Sequence, residues 1–177
     1  MTEYQVPSQA QTDARKPLIR RVSNRLLAFI ARNAPGATSL RPALHKLRGV
    51  AITGRVFIGD DVYIENEYPE FVQIDNGAQI ALRSTIIAHT RGSGRVIIGK
   101  NVFIGASCVI TAPANRTLRI GEGAVIAAGT VISSDVPSQA LVGAERPKPI
   151  ARVTVPLTME TSYEQFAMGL QPWHRGN

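Results

Sequence analysis

The chain has 177 residues and a net charge of +7; 44% of its residues are hydrophobic, but only 6% are aromatic. This length predicts a single core, and a core short of aromatics must be filled with Ile, Val and Ala, which favours β-structure. The one cysteine, Cys108, excludes an internal disulfide framework. No apolar run approaches the roughly 20 residues of a membrane span, so we expect a cytoplasmic protein.

Residues 1–49 form a basic N-terminal arm. Ten of the twenty Lys and Arg residues fall between 14 and 59, a stretch without any acid. "KPLIRRVSNRLLAFIARN" predicts a helix with one apolar face, formed by Leu18 or Ile19, Val22, Leu26, and Phe29 or Ile30. We favour a helix that covers the end of the next domain or lines a subunit contact; the alternative is peripheral contact with a membrane. No aromatic platform or reading helix accompanies the charge, so nucleic acid is not an expected partner.

A second helix is predicted over "SLRPALHKLRG", opened by Ser39 and ended by Gly49. His45 lies on this helix, and we interpret it as structural. His174 falls in the C-terminal tail.

Isoleucine then recurs at steps of six. Twelve of the 17 isoleucines stand at positions 52, 58, 64, 74, 80, 86, 98, 104, 110, 120, 126 and 132. The two steps of ten are interpreted as a hexad plus a four-residue insertion, and the step of twelve as two hexads with Gly92 in place of isoleucine. Gly59, Gly99, Gly105 and Gly121 each follow an isoleucine, where we expect a corner to need a permissive backbone. A six-residue unit is a short strand plus a bend, so the repeat predicts a solenoid with stacked isoleucines.

This pattern resembles the hexapeptide-repeat acyltransferases over residues 50–152, including the closing "IAAGTVISSDVPSQALVGAERPKPI". The resemblance implies an all-β solenoid, a left-handed parallel β-helix with three hexads per coil, with helices at both ends of the chain. "LHKLRGVAITGRVFIGDDVYIENEYPEFVQI" is most similar to sugar O-acetyltransferases of surface-polysaccharide clusters. The resemblance further implies a homotrimer that binds acetyl-CoA between subunits and acetylates a carbohydrate hydroxyl.

With three hexads per coil, this count stacks Ile64, Ile86, Ile104 and Ile126 in one column. His89 then has Glu67 below it and Ser107 and Gly129 above, beside a row of Ala88, Ala106 and Ala128. Span 86–98 contains no long insertion on this count, so we expect an open groove that admits a bulky sugar.

The resemblance assigns roles to these positions. His89 matches the catalytic histidine, a general base whose imidazole titrates near neutral pH, and Glu67 is a candidate to orient it. The main chains of Ala106 and Ala128 match the coenzyme A contacts, with the Ala106 N–H a candidate oxyanion donor and Ser133 and Lys148 near the pantetheine and phosphate end. Arg83 is a candidate for an anionic acceptor, with a surface arginine favoured. Tyr68 and Phe71 are candidates for sugar stacking, with a subunit contact favoured.

Other functions remain open. An N-acetyltransferase of an amino sugar and a non-catalytic β-helical scaffold are the alternatives. A zinc site needs several histidines, and the repeats carry one, so no metal is expected. Cys108 points inward by its phase and is not proposed as a nucleophile. Residues 153–177 are predicted to form an extension with a helix that begins at Thr161 or Ser162.

Overall fold

The chain divides into two compact units, residues 1–144 and 145–177. The computed structural model describes residues 17–89, 92, 94–145 and 148–173. The first unit holds two helices and a parallel β-solenoid, and the second holds a short hairpin and a helix. The last solenoid strand ends at Val142, ten residues before the predicted end of the β-helix at residue 152.

Short strands of two to four residues wind into a prism with three parallel sheets. The first sheet consists of β1 (Ala51–Ile52), β4 (Val72–Ile74), β7 (Arg95–Ile98) and β10 (Thr117–Ile120). The second consists of β2 (Phe57–Ile58), β5 (Gln79–Ile80), β8 (Phe103–Ile104), β11 (Val125–Ile126) and β13 (Leu141–Val142). The third consists of β3 (Tyr63–Ile64), β6 (Thr85–Ile87), β9 (Val109–Thr111) and β12 (Val131–Ile132). Each of the four complete coils contributes one strand to each sheet, and β13 is the single strand of an incomplete fifth coil.

The hexad isoleucines form the core. Each points inward and pairs with the isoleucine one coil away, for example Ile80 with Ile104 and Ile86 with Ile110. From β4 to β11, these side chains are at most 1% exposed. The predicted parallel solenoid with an isoleucine interior is therefore confirmed.

The glycines that follow the isoleucines have a steric reason, not the conformational one expected. None of Gly59, Gly99, Gly105 and Gly121 has a positive φ. Instead, a Cβ on Gly105 would lie 2.6 Å from the main-chain nitrogen of Ala128 in the next coil, and one on Gly121 would lie 2.4 Å from that of Ser138. Successive coils approach each other too closely at these corners for any side chain.

Two helices precede the solenoid. Helix α1 (Leu18–Asn33) and α2 (Leu40–Arg48) pack together, and α2 begins after Ser39 and ends at Gly49 with a φ of 112°, as predicted. Helix α1 lies over the first coil, where the N–H of Asp61 donates to the carbonyl of Arg32 at 3.0 Å. The predicted apolar face is exposed, and α1 buries Asn24, Ala28 and Ala31 instead. Small side chains let the helix lie close to the coil, so it covers the coil with the opposite face.

The second unit is built around β14 (Ala151–Val153) and β15 (Leu170–Pro172), which pair antiparallel. Helix α3 (Tyr163–Met168) lies between them in sequence. Its N-cap is Ser162, whose hydroxyl accepts from the N–H of Gln165 while the Gln165 side chain accepts from the N–H of Ser162. This reciprocal capping confirms the predicted start of the helix.

Candidate active site

All the chain insertions lie at one corner of the prism, between the third and the first sheet. We call this the insertion corner; its described residues are 65–71, 88, 89, 92, 94 and 112–116, in the connections from β3 to β4, from β6 to β7 and from β9 to β10. The first insertion contains a 3₁₀ turn, Pro69–Phe71. The insertions pack on one another, because a Cβ on Gly94 would lie 2.5 Å from the carbonyl oxygen of Ala88 and 2.9 Å from Cβ of Ala112.

The step of twelve residues is therefore not two hexads. Ile86 and Ile98 lie on consecutive strands, β6 and β7, and Gly92 lies in the connection with a φ of 137°. The twelve is one hexad plus a six-residue insertion, so the prediction that no long insertion accompanies the histidine is wrong. His89 stands in that insertion.

Because an insertion stands where a hexad was counted, every later residue moves by one sheet. The residues that stack after the second coil are therefore different from those predicted. Ile64 and Ile86 share the third sheet, but the next partners are Ile110 and Ile132, whereas Ile104 and Ile126 belong to the second sheet. By this register, Glu67 lies one coil below His89, as predicted. Ala112, not Ala106, follows Ala88, since the N–H of Ala112 donates to the carbonyl of Ile87 at 3.0 Å. The proposed row of Ala88, Ala106 and Ala128 is therefore wrong.

His89 is half-buried at the insertion corner. Its main-chain N–H donates to Oε2 of Glu65 at 3.1 Å, and the other carboxylate oxygen accepts from the N–H of Glu67 at 2.9 Å. The Glu65 side chain is buried, so this carboxylate ties the first insertion to the second from inside the corner. Sequence reasoning missed Glu65; the available signal was an acid directly after a core isoleucine, at the start of an insertion.

The ring of Tyr68 packs beside the ring of His89. The centroids of the two rings are 4.9 Å apart with an interplanar angle of 53°, and Tyr68 also stacks on Phe71 at 5.3 Å and 13°. The structure thus brings two of the predicted site residues, Tyr68 and His89, into contact. Because Phe71 is buried and occupies one face of the tyrosine ring, that face is not available to a sugar.

Glu67 contacts helix α1. Its Oε1 lies 3.4 Å from a guanidinium nitrogen of Arg21 and 3.6 Å from one of Arg25. Its main-chain N–H shares the Glu65 carboxylate with the main-chain N–H of His89. Glu65 is therefore a second acid near the histidine, beside the predicted Glu67.

A buried cation supports the first insertion. Arg48, at the end of α2, donates to the carbonyl oxygens of Ile64 (2.9 Å) and Glu65 and to Oδ1 of Asn66 (3.0 Å). Nδ1 of His45 lies 3.1 Å from the same guanidinium. Burial, and then the positive charge of Arg48, lower the pKa of His45 to about 3, and burial lowers that of Arg48 to about 10. His45 is thus a neutral, buried residue, in agreement with its structural interpretation.

Two of the predicted cofactor residues, Ala106 and Ala128, lie at a different corner, between the second and third sheets. Leu82, Ala106 and Ala128 stack there, since the N–H of Ser107 donates to the carbonyl of Leu82 and that of Gly129 to the carbonyl of Ala106. We call these three residues the alanine edge. Ala128 and Gly129 are exposed and Ala106 is half-buried. Leu82 and Ala88 mark the two ends of one side of the prism, and the six residue steps from one to the other span roughly 20 Å.

The comparisons with known proteins agree on the repeat. A family model described as the hexapeptide repeat of succinyl-transferase matches residues 95–134. A putative acetyltransferase, YvoF of Bacillus subtilis, is 37% identical over 81 residues, which cover 43% of this chain and 45% of that protein. The bifunctional protein GlmU of Maricaulis maris is 41% identical over 54 residues, 30% of this chain and 11% of that protein. This chain therefore spans less than half the length of either relative.

A solved structure matches the architecture. A hexapeptide-repeat-containing acetyltransferase from Vibrio cholerae superposes with a TM-score of 0.50 at 21% identity, over 71% of this chain and 86% of that one. This likeness confirms the predicted left-handed parallel β-helix. The chain is therefore similar to the hexapeptide-repeat acyltransferases, and residues 95–134 carry their repeat.

The remaining predicted residues of this hexapeptide-repeat protein are dispersed. Arg83 is exposed next to the alanine edge with a φ of 57°, and its N–H donates to the carbonyl of Asp60. Ser133 follows β12 and is exposed on the side of the insertion corner, two coils beyond His89. Lys148 belongs to the second unit, where its ammonium lies 3.5 Å from Glu145. Ser133 therefore lies at a different corner from Ala106 and Ala128, and its role near the pantetheine and phosphate end stays a prediction.

Cys108 faces inward, as its phase predicted. It is buried, and its thiol donates to the carbonyl of Ala127 at 3.1 Å. In the described part of the chain, no group of three or more His, Cys, Asp or Glu side chains could hold a metal ion. No helix within residues 17–173, as far as they are described, is long and apolar enough to cross a membrane. His174 lies outside the described residues.

Proposed function

We propose that this hexapeptide-repeat protein is an acetyltransferase that transfers the acetyl group of acetyl-CoA to a carbohydrate hydroxyl, with His89 as general base. The observation that carries the proposal is the setting of His89: a half-buried imidazole at a corner where three insertions stack, with its main chain held by a buried carboxylate. The relatives named acetyltransferase support the reaction class.

The chemistry requires an imidazole next to the acceptor hydroxyl that can accept its proton. The free ring nitrogen takes the proton of the acceptor hydroxyl as its oxygen attacks the thioester carbonyl. The carbon–sulfur bond then breaks, and the imidazolium returns the proton to the departing thiolate of coenzyme A. No acyl-enzyme is needed, which fits a cysteine that is buried in the core.

The position of the alanine edge implies that the site is shared between subunits. In the family that this chain resembles, the pantetheine arm runs along such an edge in the groove between subunits. Within one prism, this edge and His89 lie at different corners, roughly 20 Å apart along the third sheet. We therefore propose that His89 of one subunit faces the alanine edge of a neighbour in a homotrimer, so an oxyanion contact from the Ala106 N–H comes from the neighbour as well.

An apolar strip on the outside of the second sheet supports this assembly. Phe103, Val125 and Leu141 lie on consecutive strands, and Phe57 lies on β2, separated from Phe103 by Gln79 of β5; the four apolar side chains are 38–76% exposed. A strip of large apolar side chains along a flat sheet is typical of an interaction surface. It adjoins the alanine edge, so a partner that covers the strip also reaches that edge.

Thiol release from acetyl-CoA tests the proposal. Purified wild type and His89→Ala are assayed with a panel of sugars, oligosaccharides and amino sugars, and coenzyme A binding is measured for both. We expect release with a hydroxyl acceptor, a loss of at least 100-fold in kcat for His89→Ala, and unchanged coenzyme A binding. Equal rates for both proteins contradict the role of His89. Transfer to amino sugars only would identify an N-acetyltransferase, and neither binding nor turnover would identify a scaffold.

A further inference from the structure

Helix α1 presents its apolar face to the outside of the subunit. Leu18, Ile19, Val22, Leu26 and Phe29 are 58–84% exposed, and Ile30 is 43% exposed. The buried residues, Asn24, Ala28 and Ala31, are on the opposite side of the helix, about 180° away at 3.6 residues per turn. An ordinary surface helix has the reverse arrangement, with its apolar stripe against the core. We therefore expect the apolar face of α1 to contact a partner outside its own subunit.

Polar contacts on both flanks fix that orientation. Arg32 donates from Nε to Oδ1 of Asp61 at 2.8 Å, and the N–H of Asp61 donates to the carbonyl of Arg32. Arg21 pairs with Glu67, and Arg20 donates to the carbonyl of Arg48 at 3.2 Å. The helix cannot roll its apolar side inward without losing these contacts.

The charge around the face indicates which partner it fits. Residues 14–59 contain ten Lys or Arg and no acid. Arg21, Arg25 and Arg32 lie along one flank of the apolar face, and the Arg25 side chain is 67% exposed. An exposed apolar stripe with arginines along its border matches an anionic bilayer surface, where the stripe enters the acyl boundary and the guanidinium groups meet lipid phosphates. A second copy of α1 offers no acid to oppose these arginines.

We propose that the apolar face of α1 binds the surface of a membrane that contains anionic phospholipids, with the helix lying in the plane of the interface. Arg21 and Arg25 also hold Glu67 of the insertion corner, so this docking places the candidate active site close to the membrane. That last consequence rests on the proposed function and favours an acceptor sugar carried on a lipid. Binding to the membrane itself does not depend on it.

Vesicle flotation tests the proposal with the full chain. Wild type, the double variant Leu26→Ser/Phe29→Ser and the control Met159→Ser are mixed with vesicles of phosphatidylcholine alone or with 30% phosphatidylglycerol. All three substituted side chains are exposed, so the fold is retained; Met159, in the second unit, removes an equally apolar surface residue elsewhere. We expect wild type and Met159→Ser to float with the anionic vesicles, at least tenfold weaker binding for the double variant, and weaker binding of wild type at high salt.

Two results overturn the proposal. One is that wild type binds anionic vesicles no better than neutral ones, or no better than the double variant. The other is that the double variant lowers the oligomeric state in light scattering, since a second copy then covers the face. The acetyl-CoA assay without lipid is run on the same proteins, so that loss of membrane binding and loss of catalysis are read separately.

Discussion

The carboxylate of Glu65 accepts the main-chain N–H of His89 at 3.1 Å, and this bond connects two successive coils at the point where both leave the sheet. The same carboxylate accepts the N–H of Glu67 at 2.9 Å. A buried carboxylate that satisfies two main-chain donors fixes both loops at once. The position of the imidazole therefore depends on a carboxylate that binds the main chain of its residue.

Glu65→Gln should weaken catalysis by displacing His89. Glutamine has one acceptor oxygen instead of two, so one of the two N–H groups loses its partner, at a cost of about 1–3 kcal/mol in folding stability. We expect kcat to fall at least tenfold, while the KM for acetyl-CoA stays close to that of wild type. Steady-state kinetics and thermal unfolding measure the two effects.

Glu67→Gln is the matched comparison. It removes ion pairs with Arg21 and Arg25 that are partly exposed, and such pairs are worth about 0–1 kcal/mol. Its effect on kcat should be smaller than that of Glu65→Gln. If Glu67→Gln is the more damaging change, the acid that positions His89 is Glu67, as the sequence suggested.

The sequence predicted the solenoid and its core because inward isoleucines repeat every six residues, but counting could not separate an insertion from a repeat of equal length. The six-residue insertion after Ile86 is as long as a hexad, so Gly92 was assigned an inward position and every later column moved by one sheet. The signal that could have revealed the insertion was the glycine at position 92, where a hexad predicts an inward isoleucine. The catalytic candidate and Tyr68 were found, while Glu65 was not, because its contact joins loops in different coils.

Gly94→Ala should disturb the same corner without changing any polar group. A Cβ at Gly94 would clash with the Ala88 carbonyl and with Ala112 and push the second insertion outward. We expect a loss of about 1–3 kcal/mol in folding stability and a lower kcat. Gly123→Ala is the control: its φ of 69° also strains alanine, but the nearest atom would lie 3.6 Å away, at another corner. If both variants lower kcat equally, strain anywhere in the solenoid is enough to lower kcat, and the insertion corner has no special role.

A subunit-mixing experiment tests whether the site is shared. His89→Ala removes the base, and Ala128→Trp fills the alanine edge, where Ala128 is exposed. Each variant alone should be inactive. If the site combines two subunits, coexpression in equal amounts leaves intact base and edge together at about a quarter of the interfaces of a cyclic trimer. The expected activity is therefore about a quarter of wild type; a mixture as inactive as either parent would place both lesions in one subunit's site.

Folding stability should fall in mild acid because of His45. Burial and Arg48 lower the pKa of this histidine from 6.5 to about 3 in the folded chain, so the unfolded chain binds a proton between these values while the folded chain does not. The stabilisation is complete above pH 6.5 and is lost progressively as the pH falls towards 3, by at most about 1.4 kcal/mol per pH unit. Urea unfolding between pH 7 and 5 measures this slope.

The variant His45→Asn separates this histidine from other acid effects. The amide oxygen of asparagine can accept from Arg48 in place of Nδ1 but does not titrate, so we expect a shallower loss of stability than in wild type. His89→Ala removes a histidine that is only half-buried and should leave the slope close to that of wild type. Parallel slopes for His45→Asn and wild type would mean that the buried His45–Arg48 pair is not the source of the acid sensitivity.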